Sequence, residues 1–141
     1  MSKRVAIIQS NYIPWRGYFD IINSVDAFVL LDDVQYTRRD WRNRNQIKTV
    51  QGLQWLTIPV DVKGQFEVKI KDVTVANADW APDHWNKISQ AYRRAPHFAT
   101  YRDAFEDAYL TCTENYLSQI NFRFLQLINS ILGIQTPIYW S

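Results

Sequence analysis

The sequence predicts an α/β fold, with a mainly parallel sheet begun by a βαβ unit, from three observations near its N-terminus. Val5-Ala6-Ile7-Ile8 is a continuous apolar, largely β-branched run, the pattern of a strand buried on both faces of a parallel sheet. Tyr18, Ile21, Ile22 and Val25 then fall at i, i+3, i+4 and i+7, one apolar helix face after Pro14. Ala27-Phe28-Val29-Leu30-Leu31 is a second strand-like run, stopped at Asp32-Asp33. A right-handed crossover between two such strands brings Gln9 to Trp15 and the segment from Asp32 onward to the same carboxyl edge, where open α/β sheets bind ligands.

The middle of the chain reads as a strand-rich insertion. Gln54 to Val60 is a strand candidate with Pro59 at its end, and Lys63-Gly64 marks a turn. Phe66, Val68 and Ile70 alternate with Glu67, Lys69 and Lys71, the period of a half-exposed strand. The last third is helical. Trp85, Ile88, Ser89 and Tyr92 define a face from about Pro82 to Arg93-Arg94 and Pro96, and Tyr101, Phe105, Ala108 and Cys112 a second helix. Leu117, Ile120, Phe124, Leu127, Ile128 and Ile131 give the clearest helical pattern, closed by Gly133. Thr136 to Trp140 then enters another strand.

The 141 residues, 47% of them hydrophobic, suit one continuous domain, and 21% charged residues exclude a low-complexity or disordered chain. No apolar run approaches the roughly 20 residues of a membrane span. The run after Lys3-Arg4 is also shorter than the about 7 to 15 apolar residues of a signal-peptide core, so a cytoplasmic location is expected. A single cysteine, Cys112, excludes an intramolecular disulfide and a cysteine-based zinc cage. Six Trp, eight Tyr and seven Phe exceed the needs of an ordinary core this size, which predicts that some rings meet a ligand or partner.

Three clusters carry candidate chemistry. The strand-to-helix turn Gln9 to Phe19 offers Gln9, Asn11, Tyr12 and Trp15 as ligand contacts, with Gly17 permitting close backbone approach. Its structural alternative is a Pro-led helix start whose rings, Tyr18 and Phe19 among them, fill the core. Asp32 and Asp33, followed by Gln35 and Tyr36, can orient a hydroxyl or amine or hold Mg²⁺ through oxygen ligands, or simply cap a turn. The segment Arg38-Arg39-Asp40-Trp41-Arg42-Asn43-Arg44 concentrates four Arg against one Asp and leaves the rest of the chain slightly acidic. Arg38, Arg42 and Arg44, with Trp41 and Asn45, suit a phosphate or carboxylate pocket, or a solvated loop paired with surface acids. The lack of a domain-wide basic face argues against nucleic acid. His84 and His97 lack the i, i+4 spacing of metal ligands, and no metal site is predicted. His84 reads as exposed, His97 as a loop residue and Cys112 as a buried, inert thiol.

The blocks Gln9, Tyr12, Pro14, Trp15, Gly17, Tyr18, Phe19, Asp20 and Asp32, Asp33, Val34, Gln35, Tyr36, Asp40, Trp41, Arg44, Asn45 closely resemble the WbqC-like protein family. Trp85, Tyr92, Ala95-Pro96 and Leu132-Gly133-Ile134 extend the resemblance over nearly the whole chain. It implies a transferase of surface-polysaccharide (O-antigen) biosynthesis that moves glycine or another acyl group to a nucleotide- or lipid-linked sugar. Asp32 and Asp33 would be its catalytic pair, and a small-molecule substrate its partner. Family members generally continue further, so the resemblance also implies that residues 1–141 are the N-terminal part of a longer protein. Trp15-Arg16-Gly17-Tyr18 and Val34-Gln35-Tyr36 are further similar to the His-x-Gly-His region of pantothenate synthetase-type adenylating enzymes, with Trp15 and Tyr18 in the histidine positions. That second similarity implies a nucleotidyltransferase-like architecture and ATP with Mg²⁺ as cofactors, with Arg38, Arg42 and Arg44 as replacements for the histidines. The alternative from another class is a non-catalytic module binding a phosphorylated ligand or a partner. Oligomeric state is not encoded in any pattern of the sequence.

Overall fold

The structure, a computed structural model, describes residues 2–141. Strand β1 (Val5–Ile8), helix α1 (Arg16–Asn23) and strand β2 (Ala27–Leu30) form the predicted βαβ unit, with Ala6 paired to Phe28 and Ile8 to Leu30 in parallel register. Strand β7 (Ile138–Trp140) adds in parallel to the other side of β2, giving the order β1-β2-β7. Between β2 and β7 lie the hairpin β3 (Arg44–Thr49) and β4 (Gly52–Thr57), the short pair β5 (Val60–Asp61) and β6 (Thr74–Val75), and helices α2 (Trp80–Tyr92), α3 (Phe98–Leu110) and α4 (Leu117–Leu132).

Two differences from the sequence reading have physical causes. β1 is not buried on both faces: Ala6 and Ile8 pack inward, while Val5 and Ile7 are 52% and 57% exposed. It is an edge strand of a sheet covered on one face, and its register continues the bare face through Val29 to Tyr139. The alternating segment Phe66 to Ile70 is not a strand; it runs into a 3-10 turn at Ile70–Asp72, because Ile70 and Val73 both turn into the core. The hairpin strand that the periodicity missed is β3, which starts within the Arg-rich segment.

Two cores flank α4. Leu125 joins Tyr18, Phe19, Ile22, Phe28 and Leu30 beneath the sheet. Leu117, Ile120 and Phe124 join a larger cluster with Trp80, Trp85, Tyr109, Ile58 and Ile70. α4 therefore buries most of its circumference, as expected of a helix apolar on more than one side. It ends in a Schellman arrangement: Ile134 N–H donates to Asn129 O at 2.8 Å, with Gly133 at φ 71°. Nothing lies near a Cβ at Gly133, so the left-handed backbone alone penalises Gly133→Ala. The expected loss is about 1 kcal/mol, measurable by urea unfolding.

Candidate functional site

The carboxyl ends of β1 and β2 are joined by a buried polar network. Asp32, 1% exposed, accepts the Ser10 N–H on one carboxylate oxygen at 2.9 Å and the Ser118 hydroxyl on the other. Its backbone carbonyl accepts from Lys71 N–H at 2.7 Å. Ser118 Oγ in turn accepts from Trp140 Nε1 at 2.9 Å, tying β7 to the same group. Asn121, one helical turn after Ser118, donates to Ser10 Oγ at 3.0 Å and to the Arg42 carbonyl at 2.9 Å. Arg42 closes the network by donating to Gln9 Oε1 at 3.2 Å and to Asn11 Oδ1. Its ion pair with Asp40 is long, 3.8 Å. A charge this enclosed, held mainly by neutral amides, organises the turn rather than presenting a free cation.

Beside Asp32 opens a cavity of about 380 Å³ lined by Lys71, Asp72, Tyr116, Gln119, Trp140 and Ser141. It lies at the carboxyl side of the parallel strands and offers one cation, Lys71, one exposed carboxylate, Asp72, two rings and several hydrogen-bonding groups. Asp33 does not converge with Asp32: it is exposed and accepts from the Ser141 hydroxyl at 2.7 Å. With both Asp32 oxygens engaged and Asp33 directed elsewhere, the pair does not form a two-carboxylate Mg²⁺ clamp. Among the described residues, no group of three or more His, Cys, Asp or Glu side chains is placed to hold a metal ion.

The remaining predicted contacts separate. Tyr12 and Tyr36 are core residues, 1% and 6% exposed, and Asn45 secures the turn by donating to the Tyr12 carbonyl at 3.3 Å and to that of Ile13, whose φ is 43°. Gly17 is approached closely, but by Trp15: a Cβ there would lie 1.9 Å from the indole, which itself is 69% exposed. Arg44 lies 4.3 Å over the Trp55 ring, and Trp55 packs against Trp41 at 5.6 Å, forming an exposed patch on the hairpin. Gln35 donates to Phe66 O at 2.8 Å and Arg38 to Val62 O at 3.3 Å, both in the adjoining loop region. The Arg-rich segment is thus divided between a buried brace and two surface contacts, and does not form one pocket. Tyr18 is buried and donates to Gln9 O at 2.8 Å, so the pair Trp15 and Tyr18 does not share a ligand-facing surface.

His84 is not an exposed helix residue. It is 2% exposed, with Nε2 3.0 Å from Thr57 O and Nδ1 2.9 Å from the Tyr12 hydroxyl, which also bonds the Tyr109 hydroxyl. A carbonyl only accepts, so Nε2 carries the proton, Tyr12 donates to Nδ1 and Tyr109 donates to Tyr12. Burial pushes His84 down to about 4 and holds both tyrosines above their ordinary range. Cys112 lies just past α3, donates to Glu114 Oε2 at 3.2 Å, and is pushed up to about 12 by burial and by that carboxylate. Such a thiol is a poor nucleophile at neutral pH.

The residues missed from sequence are Ser10, Lys71, Tyr116, Ser118, Asn121 and Trp140. A signal existed for two: Ser118 and Asn121 are polar at i, i+3 within the most apolar helix of the chain. Lys71, Tyr116 and Trp140 reach the site only through tertiary folding.

A one-sided parallel sheet with a cavity beyond its strand ends defines an α/β domain. The chain belongs to the WbqC-like protein family, whose model matches residues 9–141. It is 54% identical over 136 residues to the uncharacterized protein Rv1507c of Mycobacterium tuberculosis, covering 96% of this chain and 59% of that protein. The chain thus spans less than two thirds of the length of that curated relative. No solved structure matches it significantly. No helix among the described residues is long and apolar enough to cross a membrane.

Proposed function

We propose that residues 1–141 are the N-terminal part of a transferase of surface-polysaccharide biosynthesis, which moves glycine or another acyl group to a nucleotide- or lipid-linked sugar. The observation that carries this reading is the cavity beside Asp32, at the carboxyl edge of a parallel sheet in a WbqC-like chain. In it, Lys71 supplies charge for a phosphate or carboxylate, and Tyr116 and Trp140 supply faces for a sugar or base. Asp32 acts as a positioning residue: it fixes Ser118, and through it the Trp140 ring. The longer length of the mycobacterial relative supports a further segment contributing to the reaction.

The test is to incubate the relative's full-length protein and this chain separately with ATP, labelled glycine and sugar-nucleotide or lipid-linked acceptors. The expected result is labelled product from the full-length protein, reduced at least about tenfold when the residue that aligns with Lys71 is replaced by Ala. No ATP turnover and no product from the full-length protein would sink the transferase reading.

The saturated carboxylate of Asp32 favours a second reading, a binding module without chemistry, because the acid expected to act as base is fully engaged by Ser10 and Ser118. Thermal stabilisation by a sugar nucleotide, with no turnover even at full length, would select it.

A further inference from the structure

A second cavity, about 540 Å³, lies between β3, α2 and α3, apart from the one beside Asp32, and Tyr12 and Asn45 of the two motif blocks lie on its wall. Its walls are Ile47, Leu56, Trp85, Ile88, Phe98 and Phe105, and its volume falls in the range of small-molecule sites. One end is the α2–α3 corner, where Arg93 to Arg102 contains three arginines and His97 but no acidic residue. His97 and Arg102 line the cavity itself. Among the described residues, Arg93 and Arg94 have no carboxylate within 4.0 Å, and Arg102 reaches only Glu106, at 3.7 Å with both side chains partly exposed. A mostly apolar slot with Arg102 on its wall, and with the exposed Arg93 and Arg94 just before the lining residues Ala95 and Pro96, complements a molecule with an aliphatic body and an anionic head.

We infer that this cavity binds a single-chain amphiphile, its aliphatic tail lying between α2, α3 and β3 and its phosphate or carboxylate head at the Arg93 to Arg102 corner. A polypeptide is a poorer occupant. Its backbone N–H and C=O groups would need a row of partners along a lining that is mostly apolar, and the nearby Lys48 N–H already donates to the Tyr92 hydroxyl at 3.0 Å. An aliphatic chain needs none. The inference extends beyond the transferase reading, and it is tested by binding alone, so the two can fail separately.

The experiment titrates the 141-residue chain with octyl, decyl and dodecyl phosphate below their aggregation concentrations, by calorimetry and by the change in tryptophan emission that Trp85→Phe removes. One site per chain is expected, tightening about three- to fourfold for each methylene added while the tail still fills the slot. Dodecyltrimethylammonium should bind at least about tenfold more weakly than dodecyl phosphate, and the exposed double variant Arg93→Glu, Arg94→Glu should erase that preference without changing dodecanol binding. Ile88→Glu should abolish binding; if it fails to fold, the double arginine variant retains the test. Affinity independent of chain length, several equivalent sites per chain, or equal binding of ammonium and phosphate would overturn the inference. So would a saturable peptide ligand that dodecyl phosphate cannot displace.

Discussion

Between pH 6.5 and about 4 the protein is expected to lose about 3 kcal/mol of folding stability through His84 alone. In the folded chain the imidazole is neutral, because its buried Nδ1 accepts from Tyr12 and its Nε2–H donates to Thr57 O. In the unfolded chain it protonates near its ordinary value of 6.5. The unfolded state therefore binds the extra proton first, and stability falls with pH across the window between the two values. Above 6.5 and below about 4 the two states carry the same charge here, and the slope vanishes. His84→Gln removes the titration, at a cost of about 1 to 3 kcal/mol at pH 7 from imperfectly paired Tyr12 and Thr57 groups. Urea unfolding of both proteins at pH 7, 6, 5 and 4 separates the effects. Asp40 and Glu114, both held below the ordinary carboxylate range, contribute equally to each protein and cancel in the difference. Partial burial opposes those two shifts. It is outweighed at Asp40 by the Trp41 N–H, the Thr37 hydroxyl and the nearby arginines, and at Glu114 by the Cys112 thiol and Arg123. A difference between wild type and variant that stays constant from pH 7 to 4 would show that His84 is not the buried neutral base described.

Asp32→Ala is expected to cost about 3 to 5 kcal/mol, the other large effect. The substitution removes two hydrogen bonds to a charged acceptor and leaves the Ser10 N–H and Ser118 hydroxyl buried without partners. Asp32→Asn keeps the shape and one acceptor oxygen, and should cost about half as much. Asp33→Ala, an exposed carboxylate bonded to the terminal serine, should cost no more than about 0.5 kcal/mol. The three variants are compared by chemical unfolding. The part of the tryptophan emission that Trp140→Phe removes, compared between wild type and Asp32→Asn, reports whether Ser118 still holds the indole. Equal losses at Asp32 and Asp33 would contradict the asymmetry that the network implies.

That asymmetry also marks the boundary between what was legible in the sequence and what was not. The βαβ unit, the glycine-capped helix α4 and the returning strand β7 follow from patterns local to a few turns or residues: apolar period, a left-handed C-terminal cap and β-branched runs. The placement of Gln9, Asn11 and Asp32 at one sheet edge follows from the parallel pairing that a βαβ crossover imposes. The Tyr12, Tyr36 and Trp41 rings share motif blocks, yet the first two are buried and the third is exposed. Composition does not distinguish a ring that fills a core from one that faces solvent. The same limit applies to His84, whose environment depends on Tyr12, 72 positions earlier, and on Tyr109 beyond it.

The sequence by itself determined the fold class, the family and the sheet edge at which polar residues gather, because strand and helix periodicity are local and a single βαβ crossover joins parallel strands with a fixed hand. The tertiary structure alone decided which charges are free. It brought Ser118, Asn121 and Trp140 from the end of the chain onto Asp32, drew Arg42 inward onto Gln9 and Asn11, and left Lys71 as the cation beside the cavity. A buried charge takes whatever partners the packing supplies, and those partners are set by contacts over more than twenty residues that no spacing in the sequence records.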